Sequence, residues 1–150
     1  MTHDRLSLKN VKINSAVSQE TNCFSASIYL DGKKVGTARN HGNGGPNFYD
    51  WEDRQAGAEV EAYADAQTLE FDFEKLDQIV EGMLAQHAED RQVTVWCRTR
   101  LVYRRADTPN GSWITVKCAD TPANRAAIAV CPGGPITEWA NDRFLSKVRI

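Results

Sequence analysis

Hydrophobic and polar residues alternate along the first part of the chain, and this period of two predicts β-strands. Leu6 and Leu8 lie in one phase, and Val11 and Ile13 lie in the other. The change of phase falls at Lys9-Asn10, where an extra residue in a strand would restore the alternation. The pattern therefore predicts an N-terminal strand that contains a β-bulge.

The clearest strand pattern covers residues 24–30, where every second residue is apolar. Asp31-Gly32 follows, a dipeptide that favours a two-residue hairpin turn, so residues 33–39 are expected to return antiparallel. In that register Ile28 faces Val35 across the pair. The pattern predicts a hairpin with one consistently buried face.

Apolar residues at spacings of three and four predict the helices. One main helix is expected at about 52–66 with Asp50 as its cap, and a second at about 73–90. Residues 91–98 fit either a continued helix or a strand. A shorter helix near the C-terminus is expected over 123–130, where Thr121-Pro122 supplies a cap and a first-turn proline.

A second hairpin is predicted from about Arg100–Arg105 and Ser112–Cys118, with Pro109-Asn110-Gly111 as its turn. The elements together predict an α+β fold, in which antiparallel hairpins form a sheet packed by two main helices and a short C-terminal helix. A chain of 150 residues has the size of one domain. Because no linker or repeat interrupts it, residues 1–150 are expected to form a single domain.

Composition narrows the class of protein. The chain is 41% hydrophobic and 25% charged, as in ordinary globular proteins. Its N-terminal segment is polar, and no stretch approaches the ~20 apolar residues of a membrane span, so we expect a cytoplasmic protein without membrane contact. The four cysteines include no Cys-x-x-Cys pair, which indicates isolated thiols. We expect no metal site and no cofactor.

Charge is distributed unevenly along the chain. Residues 51–90 carry twelve acidic and two basic side chains, a net charge of −10. Residues 91–150 carry ten basic and four acidic side chains, a net charge of +6. Such polarity bears on association with partners rather than on fold.

The basic hairpin 98–117 is the first candidate surface. Strand alternation would place Arg98, Arg100 and Arg104 on one face. Trp113 and Lys117 would lie on the facing strand, and this mixture suits phosphate contact and base stacking. The same cations could instead pair with the acidic helices. The candidate residues for a protein partner or a polyanion are Arg98, Arg100, Arg104, Arg105, Trp113 and Lys117.

The acidic helices are the second candidate surface. Glu59, Glu61 and Asp65 are its candidate residues. Their spacing is helical and lacks the tight alternation of a calcium loop, so solvated helix faces that attract the basic hairpin are expected. A single acidic face that imitates a nucleic-acid backbone, or that a protein partner recognises, stays open.

The glycine-rich loop over residues 40–47 matches neither common nucleotide-binding pattern, and Pro46 lacks a backbone donor. A connecting turn with glycines at positive φ is therefore expected. Histidine is the side chain that most often acts as a general base, so His41 is a candidate, but the sequence places neither Cys23 nor Asp50 beside it.

The hairpin and this loop also carry a resemblance. Residues 23–36 (CFSASIYLDGKKVG) followed by residues 40–47 (NHGNGGPN) resemble a pattern of short uncharacterised bacterial and phage accessory proteins. The resemblance implies a mobile-element accessory protein without an assigned activity, and it implies no catalytic residue.

The sequence favours a non-enzymatic accessory protein that binds another protein. With the resemblance, one expected role is a phage or mobile-element inhibitor of a host defence system. The alternative is a nucleic-acid-binding module that uses the basic hairpin 98–117, and the third interpretation is a small enzyme with the 40–47 loop at its site. The oligomeric state stays open.

Overall fold

The protein was analysed as a computed structural model that describes residues 5–145. Contacts between Cα atoms divide the chain into two compact units, Met1–His87 (unit 1) and Ala88–Ile150 (unit 2). Antiparallel strands and helices occur in both, which confirms the predicted α+β class. The strands form two sheets rather than the one expected. That residues 1–150 act as one domain stays a prediction.

Unit 1 contains a four-stranded antiparallel sheet with strands in sequence order. A short 3-10 turn, Ser15–Val17, follows the first strand. The strands are β1 (Leu6–Ile13), β2 (Cys23–Leu30), β3 (Lys33–His41) and β4 (Phe48–Trp51).

Two irregularities shape this sheet. The predicted bulge in β1 is confirmed, because its pairing with β2 shifts between Lys9 and Lys12 and Asn10 has a φ of 53°. The predicted pairing of Ile28 with Val35 is wrong, since Ile28 lies opposite Gly36. The β2–β3 register shifts just beyond Ile28, a bulge that the turn sequence does not reveal.

Two helices cover the sheet of unit 1. Helix α1 (Arg54–Asp65) begins one residue after Asp53, whose side chain accepts from the amide of Ala56, so Asp53 rather than Asp50 is the cap. Helix α2 covers Lys75–Cys97. The core of unit 1 joins apolar residues of β1, β2 and β3 to Val60 of α1 and the buried stripe of α2 that ends at Leu84.

Residues 91–97, which fit either element by pattern, are helical. Val93 and Cys97 lie four positions apart on α2, and both are buried in a core of unit 2. The burial of Val93 and Cys97 explains why α2 continues beyond residue 90, where the sequence pattern predicted its end.

Unit 2 contains β5 (Leu101–Arg105), β6 (Ile114–Val116), α3 (Pro122–Ala129), β7 (Ile136–Trp139) and α4 (Ala140–Leu145). Its strands form a three-stranded antiparallel sheet in the order β6-β5-β7. The predicted short C-terminal helix is confirmed as α3, with Thr121 as its cap. The buried Asn141 accepts from the Val102 amide at 2.9 Å and donates to the carbonyl of Arg100 at 2.8 Å.

Candidate functional site

A single buried asparagine organises the glycine-rich loop. Asn40 is 4% exposed, and its Oδ1 accepts from the amide of Gly42 and from Thr21 Oγ1, both at 2.8 Å. Its Nδ2 donates to the carbonyl of Gly45 at 3.3 Å and to Asn47 Oδ1 at 3.1 Å. Three glycines of the loop have positive φ, as predicted for a turn. The loop is thus a structured connector between β3 and β4.

The residues considered for catalysis do not form a hydrogen-bonded set. Cys23 and His41 lie opposite each other in the β2–β3 ladder, yet within residues 5–145 no hydrogen bond joins their side chains. The His41 ring instead lies 6.1 Å from the Phe48 ring. Asp50 pairs with Arg39 at 3.9 Å. The described geometry therefore provides no nucleophile that is oriented by a base.

In the basic hairpin, Arg104 and Trp113 contact each other directly. The Arg104 guanidinium carbon lies 3.8 Å from the centroid of the Trp113 ring. Its Nε donates to the carbonyl of Ser112 at 2.9 Å, and Nη1 lies 3.8 Å from Glu138 Oε2. This arginine is therefore engaged with three neighbours before any partner arrives.

Arg105 was predicted to be a binding residue on the surface of the basic hairpin, but the structure buries it. It is 6% exposed, and its Nη2 donates to the carbonyl of Ile128 at 2.7 Å while Nη1 donates to that of Gly134. Alternation along β5 explains this position, since Arg105 shares a face with the buried residues Leu101 and Tyr103.

The other basic candidates do not share a strand face with Arg104. Because α2 extends to Cys97, Arg98 follows the end of a helix and Arg100 lies in the turn before β5. Arg98 and Lys117 are exposed, and Arg100 is half-buried. The expected single row of cations is therefore not formed.

The acidic candidates are all exposed on α1 but do not form one face. Glu61 and Asp65 are four residues apart and lie on one side of the helix. Glu59 lies on another side, where its carboxylate accepts from Gln55 at 3.2 Å.

Unit 1 contains an open cleft of about 1100 Å³, which we call the acidic cleft. It is lined by residues 18–22, the end of the glycine-rich loop, residues 69–71 and 73–74, and the first turns of α2. Among residues 5–145, those lining the cleft include no lysine, arginine or histidine. Five of its lining residues carry carboxylates: Glu20, Glu70, Glu74, Asp77 and Glu81.

Two of these carboxylates hold the wall of the cleft together. Asp77 accepts from the Tyr49 hydroxyl and from the amide of Asn47, the latter at 3.1 Å. Burial, followed by the hydrogen bond to Asp77, raises the pKa of Tyr49, so this phenol remains a neutral donor. Glu81 accepts from Asn22 Nδ2 at 3.1 Å.

The remaining three carboxylates are available to a ligand. Within the described residues, the side chains of Glu20, Glu70 and Glu74 have no hydrogen-bond or ion-pair partner. Like charges that share one concave surface concentrate a negative potential there.

Two phenylalanines lie at the same cleft. Phe71 is 49% exposed and Phe73 is 62% exposed, and their ring centroids are 5.4 Å apart. The sequence pattern had counted Phe73 among the apolar positions of a helix expected from residue 73. The usable signal was instead the alternation of acidic and aromatic residues over 70–74 (EFDFE).

No protein-family model, curated protein or solved structure matches this chain. Within residues 5–145, no helix is both long and apolar enough to span a membrane. The same part of the chain contains no group of three or more His, Cys, Asp or Glu residues arranged to hold a metal ion.

Proposed function

We propose that this protein is a non-enzymatic binding protein whose acidic cleft takes a basic segment of a partner protein. One observation carries the proposal: the cleft presents five carboxylates, three of them unpaired within residues 5–145, and its lining residues include no basic side chain.

Electrostatics favours a cationic ligand at such a surface. Each unpaired carboxylate of the cleft repels the others, and a bound cation relieves that repulsion. Because the cleft is open, its carboxylates stay hydrated before binding, so the main contributions are long-range steering and specificity against acidic partners. A polyanion would be repelled from the same cleft.

The nucleic-acid alternative has fewer residues to rely on. Arg105 is buried and Arg104 is engaged with Trp113 and Glu138, which leaves Arg98, Arg100 and Lys117 as the cations for phosphate contact. These considerations support the protein-partner proposal over the nucleic-acid module.

The proposal is tested by fluorescence polarisation with two labelled probes, a peptide of alternating lysine and serine and a single-stranded oligonucleotide. At ~50 mM salt the peptide should bind the protein, and at ~200 mM salt its affinity should fall. A Glu70→Lys, Glu74→Lys double variant should weaken peptide binding by about tenfold or more.

A matched control is Glu59→Lys with Glu61→Lys, which changes the net charge equally but lies on α1, away from the cleft. Its peptide affinity should stay within about threefold of the wild-type value, since only distant charges change. Equal losses in the two double variants would mean that net charge rather than the cleft binds the peptide. Preferential binding of the oligonucleotide, lost in Arg98→Glu with Lys117→Glu, would establish the nucleic-acid module instead.

A role as a phage or mobile-element inhibitor of a host defence system stays a prediction that rests on the resemblance of residues 23–47. Basic surfaces are common in proteins that bind nucleic acids. A nucleic-acid-binding protein would therefore present the kind of basic segment that we propose for the acidic cleft.

A further inference from the structure

One side chain, that of Gln78, hydrogen-bonds the backbone of the segment that carries Phe71 and Phe73, and Asp72 between them forms an ion pair with Lys75 at 3.0 Å. Gln78, on the first turn of α2, accepts from the amide of Phe71 at 3.3 Å. Its Nε2 donates to the carbonyl of Phe71 at 3.0 Å and to the carbonyl of Phe73 at 2.7 Å. The side-chain amide pairs with residue 71 as a neighbouring strand would, with one donor and one acceptor.

This arrangement fixes the backbone while both rings remain in solvent. Exposed phenylalanine is unfavourable by itself, and aromatic side chains are typical anchors of protein interfaces. Three backbone groups of the pair, the amide and carbonyl of Phe71 and the carbonyl of Phe73, are hydrogen-bonded to Gln78, so the exposure does not come from a loosely held segment. Glu70 and Glu74 flank the rings at the same cleft.

We propose that Phe71 and Phe73, held outward by Gln78, are the docking anchor of unit 1 and that they take an arginine-bearing segment of the partner protein. The inference rests on the proposed function and deepens it. Arginine fits better than lysine because its planar guanidinium stacks on aromatic rings and binds carboxylates through two parallel hydrogen bonds. Lysine offers the cleft only a compact, strongly hydrated charge.

The test compares two labelled peptides of equal length and charge, one with arginine and one with lysine at every basic position. The wild-type protein should bind the arginine peptide about threefold or more tightly. Phe71→Ala and Phe73→Ala should each weaken binding of the arginine peptide by about fivefold or more and remove the preference. Phe48→Ala is the control, because Phe48 is also an exposed phenylalanine, at 53%, but does not line the cleft.

Gln78 acts as a positioning residue, and its test needs a readout beyond affinity. Gln78→Ala should weaken binding of the arginine peptide as the phenylalanine variants do, and should speed hydrogen exchange of the Phe71 amide, with little change in the melting temperature. In a Phe71→Ala, Phe73→Ala background, Gln78→Ala should cause no further loss, because the side chains that it positions are gone.

The outcomes separate this inference from the proposed function. Equal affinity for the two peptides, or phenylalanine variants that bind like the wild type, would overturn the anchor. If the Glu70→Lys, Glu74→Lys double variant still lost peptide binding in that case, the proposed function would hold, and the acidic cleft would recognise the charge of its ligand without the aromatic anchor. Failure of both peptides to bind at ~50 mM salt would overturn both proposals.

Discussion

Gly57 provides a sharp test of the packing that supports the cleft. A Cβ atom at this position would lie 2.6 Å from Cδ1 and 2.8 Å from Cγ of Trp51, well inside the ~3.5 Å of an ordinary carbon contact. The Trp51 ring cannot move freely, because a Cβ at Gly36 would lie 2.7 Å from its Cε3 on the sheet and Tyr49 stacks on it at 5.4 Å. Gly57→Ala should therefore overpack unit 1.

Gly82 supplies the matched control for the size of this effect. It also lies in a helix of unit 1, but a Cβ there meets no atom within 4 Å. Replacing a helical glycine by alanine normally stabilises a protein by about 0.5–1 kcal/mol, and that gain is common to both positions. The free energies of unfolding of Gly57→Ala and Gly82→Ala should thus differ by the overpacking cost alone, about 1–3 kcal/mol.

Urea titrations followed by far-UV circular dichroism would measure this difference. The midpoint for Gly82→Ala should rise and that for Gly57→Ala should fall, with similar slopes. In a Trp51→Ala background the penalty at Gly57 should disappear, since the contacted ring is absent. A Gly57→Ala variant as stable as Gly82→Ala, or a penalty that persists without Trp51, would refute the reasoning.

Three further substitutions test single groups. Arg105→Met should lower the free energy of unfolding by about 1–3 kcal/mol in a urea titration, because it removes the two charge-assisted hydrogen bonds that the guanidinium donates to the carbonyls of Ile128 and Gly134. Asn40→Ala should speed hydrogen exchange of the Gly42 amide, which loses its acceptor. Burial raises the pKa of the Cys97 thiol from 9.0 to about 11, so folding disfavours the thiolate. Stability should be complete below about pH 9 and decline towards pH 11 in thermal melts, a decline that Cys97→Ala should reduce.

Local pattern accounts for much of the fold. The apolar residues that alternate along β2 are all buried, because a strand with one face on a core needs a period of two. The bulge at Asn10 and the positive φ values of the glycine-rich loop also followed from local chemistry.

The start of α2 shows where local pattern fails. Phe73 continues the three- and four-residue spacing of the helix, but Glu74 has a φ of 50°, which no helical residue adopts. A glycine or asparagine usually marks such a position, and glutamate does not. The helix therefore begins at Lys75, and Phe73 becomes a surface residue.

The acidic cleft was not predictable because its walls come from segments far apart in sequence. Glu20 and Glu81 line the same cleft, yet sixty residues separate them in the chain. Summed charge over residues 51–90 indicated acidity there, but the segments that share a concave surface are set by tertiary packing.

The hydrogen bonds from Gln78 reach the backbone of Phe71 and Phe73, and this has a consequence for how the two side chains can change. Every residue type has the same carbonyl group, and every type except proline has the same amide, so these hydrogen bonds survive when the side chains at 71 and 73 are exchanged for other non-proline side chains. If Phe71 and Phe73 anchor a partner as proposed, replacing these two side chains would change the binding preference without rebuilding the segment that presents them.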